Sequence, residues 1–330
     1  MKIAVVILNW NGHDLLREFL PDVLKYSQEA EVYVIDNAST DQSIDYIKNN
    51  LNSIKVISLE KNLGYAGGYN EGLRKIEADV VILLNNDVKV TENWLNPIRE
   101  SFEMDTRISV VQPKILDYKK PDHFEYAGAA GGFVDAYGYP YCRGRIFSTL
   151  ERDEGQYDED TEIFWASGAC FAVKLNVFKR LGGFDETYFA HQEEIDLCWR
   201  AFNSGYKIWY CHQSKVYHLG GATLQSLNPR KTLLNFRNSL YNIIKNVPEP
   251  NWFNIIFIRL LLDGFASLRF LILGQFRHIL AVIKAHWTMF FRFNLYYKKR
   301  EKELRSDYFK THSIVYDYYI LNRKKYTELE

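Results

Sequence analysis

The feature that most constrains this chain is Val80-Val81-Ile82-Leu83-Leu84, followed at once by Asn85-Asn86-Asp87. Five apolar residues without polar alternation predict a short strand buried on both faces, as in a parallel sheet covered by helices. Residues 3–8, 32–35 and 55–59 have the same character. Between them lie stretches with helical spacing: residues 14–26, a segment running through Lys48 with Ser39 or Thr40 as its N-cap, and one leading toward Ile76. This alternation predicts a parallel α/β sheet with right-handed crossovers. Ligands of such sheets bind beyond the carboxyl ends of the strands. Asp36 and Asp87 both stand at such ends. Asp87 is placed to hold a hard divalent cation with phosphate oxygens, or simply to close the strand in an Asx turn. Asp36 is placed to accept hydrogen bonds from a nucleoside, or to cap the next helix.

With 330 residues and 47% hydrophobic composition, the chain can bury a large core. Lys+Arg and Asp+Glu are both 41, which argues against nucleic acid as the main partner. Cys142, Cys170, Cys198 and Cys211 are scattered without a Cys-x-x-Cys pair, so neither a disulfide framework nor a zinc site is expected, and a reducing compartment is. Residues 3–8 lack the flanks of a signal peptide. Gly64, Gly67 and Gly68 precede a helix and would let backbone amides approach a phosphate, although the dinucleotide fingerprint would sit after the first strand.

Four motifs then appear in order: Val6-Ile7-Leu8-Asn9-Trp10-Asn11-Gly12, Asp36-Asn37-Ala38-Ser39-Thr40-Asp41, Asn62-Leu63-Gly64-Tyr65-Ala66-Gly67-Gly68-Tyr69-Asn70 and Asn85-Asn86-Asp87. Together they resemble the N-terminal half of family 2 glycosyltransferases, especially the rhamnosyltransferase-like branch. The resemblance implies the GT-A fold: an α/β domain with a mostly parallel nucleotide-binding sheet flanked by helices, here over residues 1–245, with a C-terminal helical appendage over 246–330. It implies a nucleotide-sugar donor held by Asn9, Asn11, Asp36, Asn62, Gly67, Gly68, Asn70, Asn86 and Asp87, with Asp36 on the nucleoside and Asp87 on a divalent metal, magnesium or manganese. The family often has Asp-x-Asp at the metal motif. Here only Asp87 is acidic, which suits magnesium with several waters and implies modest metal affinity without donor.

Residues 94–102 read as a helix and 108–113 as a strand with Pro113 at its end. Residues 117–160 read as a Gly- and Tyr-rich insertion passing over the active face, its aromatics either forming a local core, the favoured reading, or stacking on sugar rings. In residues 164–173, Gly168 and Ala169 allow close approach of a ligand; the resemblance places donor and acceptor there, with Trp165 either a stacking platform for the acceptor or a core residue. A helix follows from Glu193, with acids in its first turn that either serve the helix dipole or include a general base. The segment resembles the family's Glu-Asp-x-Asp motif. Its second acid, the base, corresponds to Glu194, one methylene longer, and Asp196 is the second candidate. Crowding of Glu193, Glu194 and Asp196 should raise at least one pKa. A lone histidine is ordinarily structural, but Val216-Tyr217-His218-Leu219-Gly220-Gly221 resembles the family's His-x-x-Gly, which implies His218 as second metal ligand and tilts the site toward manganese. Arg230, Lys231 and Arg237 either face the diphosphate or form a solvated face.

Residues 252–297 are apolar and aromatic, interrupted by Arg259, Asp263, Arg269, Arg277, Lys284 and Arg292, and too short in uninterrupted runs to span a membrane. At helical spacing Arg259, Asp263, Arg277, Lys284 and Arg292 fall on one side, with Gly264 and Gly274 as breaks. This pattern and the basic run Lys298-Lys299-Arg300 suit helices lying on an anionic membrane surface; the competing reading is cover for the catalytic domain or a homodimer contact. The expectation is an inverting, metal-dependent glycosyltransferase, cytoplasmic and peripheral on the inner face of the cell membrane, moving a rhamnose-like sugar to a glycan or lipid-linked acceptor. The rivals are a sugar nucleotidyltransferase, which should carry a basic glycine-rich loop after the first strand, and an inactive nucleotide-sugar-binding protein.

Overall fold

A computed structural model describes residues 1–220 and 228–329. The first half follows the strand–helix alternation: β1 (Ile3–Asn9), α1 (His13–Tyr26), β2 (Glu31–Asp36), α2 (Ser43–Asn50), β3 (Lys55–Ser58), α3 (Gly64–Leu73) and β4 (Val80–Asn85). Strands β3, β2, β1 and β4 are parallel neighbours. Helix α2 begins at Ser43, later than Ser39 or Thr40 as cap would require. The Asp41 carboxylate stops the chain there, accepting from the amides of both Ser43 and His13.

After a two-residue turn come β5 (Val88–Val90), α4 (Leu95–Met104) and β6 (Ile108–Asp117). The insertion folds as a small antiparallel sheet, β7 (Gly132–Val134), β8 (Pro140–Cys142), β9 (Arg145–Ile146) and β10 (Thr149–Leu150). Phe124, Phe133, Tyr141 and Tyr157 are buried beneath it, a local aromatic core. The chain re-enters the main sheet through β11 (Thr161–Ile163) and β12 (Cys170–Lys174), then α5 (Leu175–Arg180), α6 (Glu193–Asn203) and β13 (Lys207–His218). The sheet order is β11-β13-β6-β12-β4-β1-β2-β3, with β5 on β13. Beyond the parallel half, β12 lies antiparallel between β4 and β6, and β13 runs parallel to β6. Pro113 lies inside β6 instead of ending it. The ladder to β13 is already broken opposite it, between Cys211 and Lys215, so its missing N–H disrupts nothing further.

Helices α7 (Pro229–Asn246), α8 (Asn251–Ile272) and α9 (Phe276–Tyr297) follow, then α10 (Ile314–Tyr319). Tyr241 of α7 and Tyr296 of α9 stack at 3.5 Å. The tail returns to the insertion, where the Tyr308 hydroxyl donates to the Ala136 carbonyl and the Ile314 amide to Asp135. One hydrophobic cluster therefore runs from Ala4 to Tyr318. Helix α8 continues through Gly264; the break comes at Gly274, whose φ is +68°. Arg259 and Asp263 also depart from the expected shared face with Arg277 and Lys284. Both are buried: Arg259 donates to Tyr137 O and Ser239 Oγ, and Asp263 meets Tyr139 and His286. Among the described residues no helix is long and apolar enough to cross a membrane.

Candidate active site

The turn after β4 carries Asn86 and Asp87, and β5 then pairs with the end of β13, setting His218 opposite Val88. The Leu219 amide donates to the Asp87 carbonyl at 3.0 Å. This register brings His218 Nε2 to 3.1 Å from Asp87 Oδ1. On the other side of the ring, Glu125 Oε1 lies 3.2 Å from Nδ1, off hydrogen-bond alignment. Glu125 is held there because its amide donates to Ile115 O of β6 and its Oε2 accepts from Ala127 N. All three side chains are buried. Burial alone would lower the His218 pKa. The charge of Glu125, with Asp87 adding to it, outweighs burial and pushes it up to about 10.

Among the described residues no three His, Cys, Asp or Glu side chains close a metal cage. The donors do suit a cation completed from outside. Two cis ligands at roughly 2.1 Å from an octahedral ion stand about 3 Å apart, close to the 3.1 Å between the Asp87 and His218 atoms. A carboxylate behind the far nitrogen is the usual support of a metal-binding imidazole. Glu125 had no motif around it in the sequence and is legible only from the fold.

At the tips of β1 and β2 the expected donor residues form one network. The Asn86 amide donates to Asn9 Oδ1 at 3.0 Å, and Asn9 reaches Ser39 Oγ at 3.3 Å. Asn11 accepts from the Thr40 amide. Asp36, buried at the end of β2, accepts from the Ser39 amide. Asn37, outside the expected set, ties this tip to the next loop, donating to Asn62 Oδ1 and Gly64 O and accepting from Leu63 N. A hollow of about 480 Å³ lined by Asn11, Gly12, His13, Asp41 and Gln42 opens beside these tips.

Three expected donor contacts do not join this network. Gly67 and Gly68 lie inside α3, where a Cβ would stand 2.9 Å from Leu63 Cβ and 2.7 Å from Leu8 Cδ1 respectively. Their bareness lets the helix pack close against its surroundings, which accounts for a glycine-rich run here by packing. Asn70 clamps a different turn, accepting from Phe184 N and donating to Phe184 O and Glu186. Gly221 lies outside the described residues.

Across the crevice, Ala169 O accepts from Asn85 N at 2.9 Å, and Gly168 O accepts from the Tyr65 hydroxyl at 2.8 Å. A Cβ on Gly168 would lie 3.8 Å from the Glu194 carboxyl carbon. Glu194 is thus separated from the end of β4 by little more than the Gly168-Ala169 backbone. Its Oε2 is buried without a hydrogen-bond partner, and burial pushes its pKa up to about 7. Burial, with the neighbouring Glu194 adding to it, raises the Glu193 pKa as well. Phe189, His191 and Gln192, just before α6, all have positive φ, a strained approach of the kind found at functional sites.

Asp196 is a structural acid. It is fully buried, accepts from Arg200 Nε at 2.9 Å and Asn246 Nδ2 at 3.1 Å, and pairs with Lys245 Nζ at 2.8 Å. Both of its oxygens are thus engaged by buried cationic or amide donors. Trp165 is a core residue: it is buried, its Nε1 donates to Phe133 O, and Gly132 packs directly on its ring. Arg237 donates to Tyr188 O and Asn238. Arg230 lies over the Phe189 ring at 4.8 Å. Lys231 is partly buried; burial lowers its pKa and the charge of Glu125 acts against that lowering.

The model of glycosyl transferase family 2 matches residues 4–182, more than half the chain. The chain belongs to glycosyl transferase family 2. Among its relatives, an N-acetylglucosaminyl-diphospho-decaprenol L-rhamnosyltransferase of Mycobacterium tuberculosis is 25% identical over 235 residues, covering 66% of this chain and 75% of the relative. The O-antigen chain rhamnosyltransferase RfbN of Salmonella typhimurium is 24% identical over 226 residues, covering 66% of each. At the level of fold, GalNAc-T7 crystallised with UDP, GalNAc and Mn2+ superposes with a TM-score of 0.58 at 20% identity, over 76% of this chain and 48% of that one. TarS of S. aureus in complex with UDP-GlcNAc gives 0.56 at 19% identity, over 86% and 81%. These neighbours show the GT-A architecture for the family 2 chain, with a central sheet, flanking helices and additional C-terminal helices.

Proposed function

We propose that this family 2 enzyme transfers a sugar, rhamnose-like by preference, from a nucleoside diphosphate to a hydroxyl of a glycan or lipid-linked acceptor in cell-surface polysaccharide synthesis, with inversion at the anomeric carbon. The observation that carries this reading is the meeting of Asp87 and His218 at the sheet mouth, with Glu194 beyond the Gly168-Ala169 backbone. The relatives named above as rhamnosyltransferases support the choice of sugar. Residues 1–245 form the catalytic domain in this reading, and residues 246–330 a helical appendage that keeps the enzyme peripheral on the inner face of the cell membrane.

Asp36 and the Asn9–Asn86–Ser39 network hold the nucleoside end of the donor beside the hollow at β1 and β2. Asp87 and His218 would hold magnesium or manganese, which when bound neutralises charge growing on the departing diphosphate. His218 ligates only as the neutral imidazole, so its proton must leave first, and Glu125 then fixes the ring so that Nε2 faces Asp87. Glu194 takes the proton of the acceptor hydroxyl. The freed oxygen attacks the anomeric carbon from the face opposite the diphosphate while the bond to the phosphate oxygen breaks. A carboxylate raised to about 7 is basic enough for this and is ionised in a useful fraction near neutrality. Asp196 is left out of this scheme because its oxygens are already engaged. A nucleotidyltransferase reading gains no support, since β1 leads into Asn11, Gly12 and His13 with no basic loop.

The test is a thermal-shift screen of nucleoside diphosphates and nucleotide-sugars with manganese or magnesium, on wild type and Asp87→Ala. Metal-dependent stabilisation lost in the variant is expected; none in wild type would refute the donor site. Anomeric configuration of the product, read by NMR, then tests inversion, and release of pyrophosphate would instead favour the nucleotidyltransferase.

A further inference from the structure

Helix α8 is amphipathic in the reverse sense. Its two central charges, Arg259 and Asp263, are buried at 2% and 0% exposure, while Phe253, Phe257, Leu261, Phe265, Leu268 and Ile272 face outward. Those residues recur every three or four positions, so they form one stripe along the helix. Helix α9 carries a second stripe through Phe276, Leu280, Ile283, Trp287, Phe290 and Phe291, the last 82% exposed. The helices pack as a hairpin closed at Gly274. Beside Arg269, whose guanidinium reaches the Tyr319 hydroxyl, Ile320 and Leu321 of the tail extend the same surface. A water-facing surface does not arrange itself this way, and contiguous apolar patches of this kind mark an interaction surface.

The charges around the stripes identify the partner. Residues 251–300 contain eight Lys and Arg but one acid, Asp263, which is buried. Arg277 and Lys284 stand exposed beside the α9 stripe. A second copy docking face to face would bring these cations together with no acid on the hairpin to answer them. An anionic lipid surface answers both features, apolar interior to the stripes and negative headgroups to the basic rim. With neither helix able to span a bilayer, the hairpin must lie along the interface.

The hairpin is also tied to the site. Thr232 in the first turn of α7 bonds His278 in the first turn of α9 at 2.8 Å. Arg230 in that same turn of α7 covers Phe189, whose carbonyl accepts from the Tyr65 amide, while the Tyr65 hydroxyl donates to Gly168 O. The closed end of the hairpin therefore stands at the same end of the molecule as the Glu194 crevice.

We propose that the α8–α9 hairpin seats the protein in the interface of an anionic membrane, its outward stripes in the lipid, so that the crevice opens at the membrane surface where a lipid-linked acceptor is presented. The last clause rests on the sugar-transfer reading; the seat itself does not. The test uses the full chain with vesicles of phosphatidylcholine alone or with about 30% phosphatidylglycerol, read by flotation and by quenching of Trp287 with brominated acyl chains. Binding to the anionic vesicles, weakened by salt, is expected, with quenching lost in Trp287→Phe. Phe265→Glu with Phe291→Glu should weaken vesicle binding by about tenfold or more, while leaving the melting temperature and any metal-dependent nucleotide shift unchanged. Arg277→Glu with Lys284→Glu should remove the preference for phosphatidylglycerol. No binding to either vesicle, or equal binding by the Phe265/Phe291 variant, overturns the seat. So does a stable dimer in lipid-free buffer that this variant dissociates. Vesicle binding without any metal-dependent nucleotide shift in wild type would keep the seat and refute the transfer reading.

Discussion

His218 Nε2 lies 3.1 Å from Asp87 Oδ1, although the two residues are brought together only by the pairing of β5 with the end of β13. Two groups that act on one bound ion should not contribute independently. Asp87→Ala and His218→Ala should each abolish metal-dependent stabilisation by a nucleoside diphosphate, and the double variant should lose nothing further. Thermal shift with manganese, compared across the four proteins, checks this. Additive losses would place the residues in separate roles.

Glu125 meets the other nitrogen of the same imidazole. Loss of such a supporting carboxylate typically weakens metal affinity about 10–100-fold. Glu125→Gln should therefore weaken manganese binding, measured directly by electron paramagnetic resonance titration, and Glu125→Asp should recover part of it. A variant binding manganese as wild type does would reduce Glu125 to a packing role.

Glu194 should show itself in a pH profile. Its carboxyl is neutral below its raised pKa and ionised above it, and only the ionised form takes a proton. Activity should thus climb as pH rises through about 7 and level off above. Glu194→Gln should lower kcat by about 10²–10⁴-fold with little change in donor KM, and its residual rate should lose that ascending limb. A full limb in the variant would assign the titration elsewhere.

The parallel half of the sheet was readable because strands buried on both faces announce themselves as unbroken apolar runs, as residues 3–8 and 80–84 do. The site was readable only in part. Asp87 and His218 stood out through motifs, but the strand that joins them, Val88–Val90, is three residues long and leaves no periodic signal. Glu125 comes from the insertion and is aimed by its backbone bond to Ile115 and by the Ala127 amide on its carboxylate. The acids of α6 did hold a clue: Asp196 and Arg200 are four apart, the spacing of a helical ion pair. The inversion of α8 was hidden because the partners of Arg259 and Asp263 are Tyr137, Tyr139 and His286, remote in sequence.

Asp196 should matter for stability instead of turnover. Breaking a buried ion pair by removing one partner costs about 3–5 kcal/mol, so Asp196→Asn should lower the melting temperature markedly while the folded fraction keeps its kcat. Burial alone would raise the Asp196 pKa, but Arg200 and then Lys245 outweigh it and hold it low. A carboxylate depressed on folding contributes fully above its unfolded pKa, about 3.9, and loses that contribution as pH falls through the folded value. The stability gap between wild type and Asp196→Asn should consequently narrow below about pH 4. Denaturant melts at pH 7 and in that acid range decide it; a gap independent of pH would mean the carboxylate is not the source.

Gly68 separates packing from phosphate binding. A Cβ there would sit 2.7 Å from Leu8 Cδ1 and 3.2 Å from Asn37 Nδ2, pressing α3 away from the strand tips. Overpacking of this kind costs about 1–3 kcal/mol, offset slightly by the better helix propensity of alanine. Gly68→Ala should accordingly lower stability in a denaturant melt while any nucleotide affinity of the folded protein changes little. Gly72→Ala, whose Cβ would stand 2.1 Å from Ile35 Cδ1 further along the helix, should behave the same way. If Gly68→Ala instead weakened nucleotide binding at unchanged stability while Gly72→Ala did not, the backbone at Gly68 would be a donor contact after all.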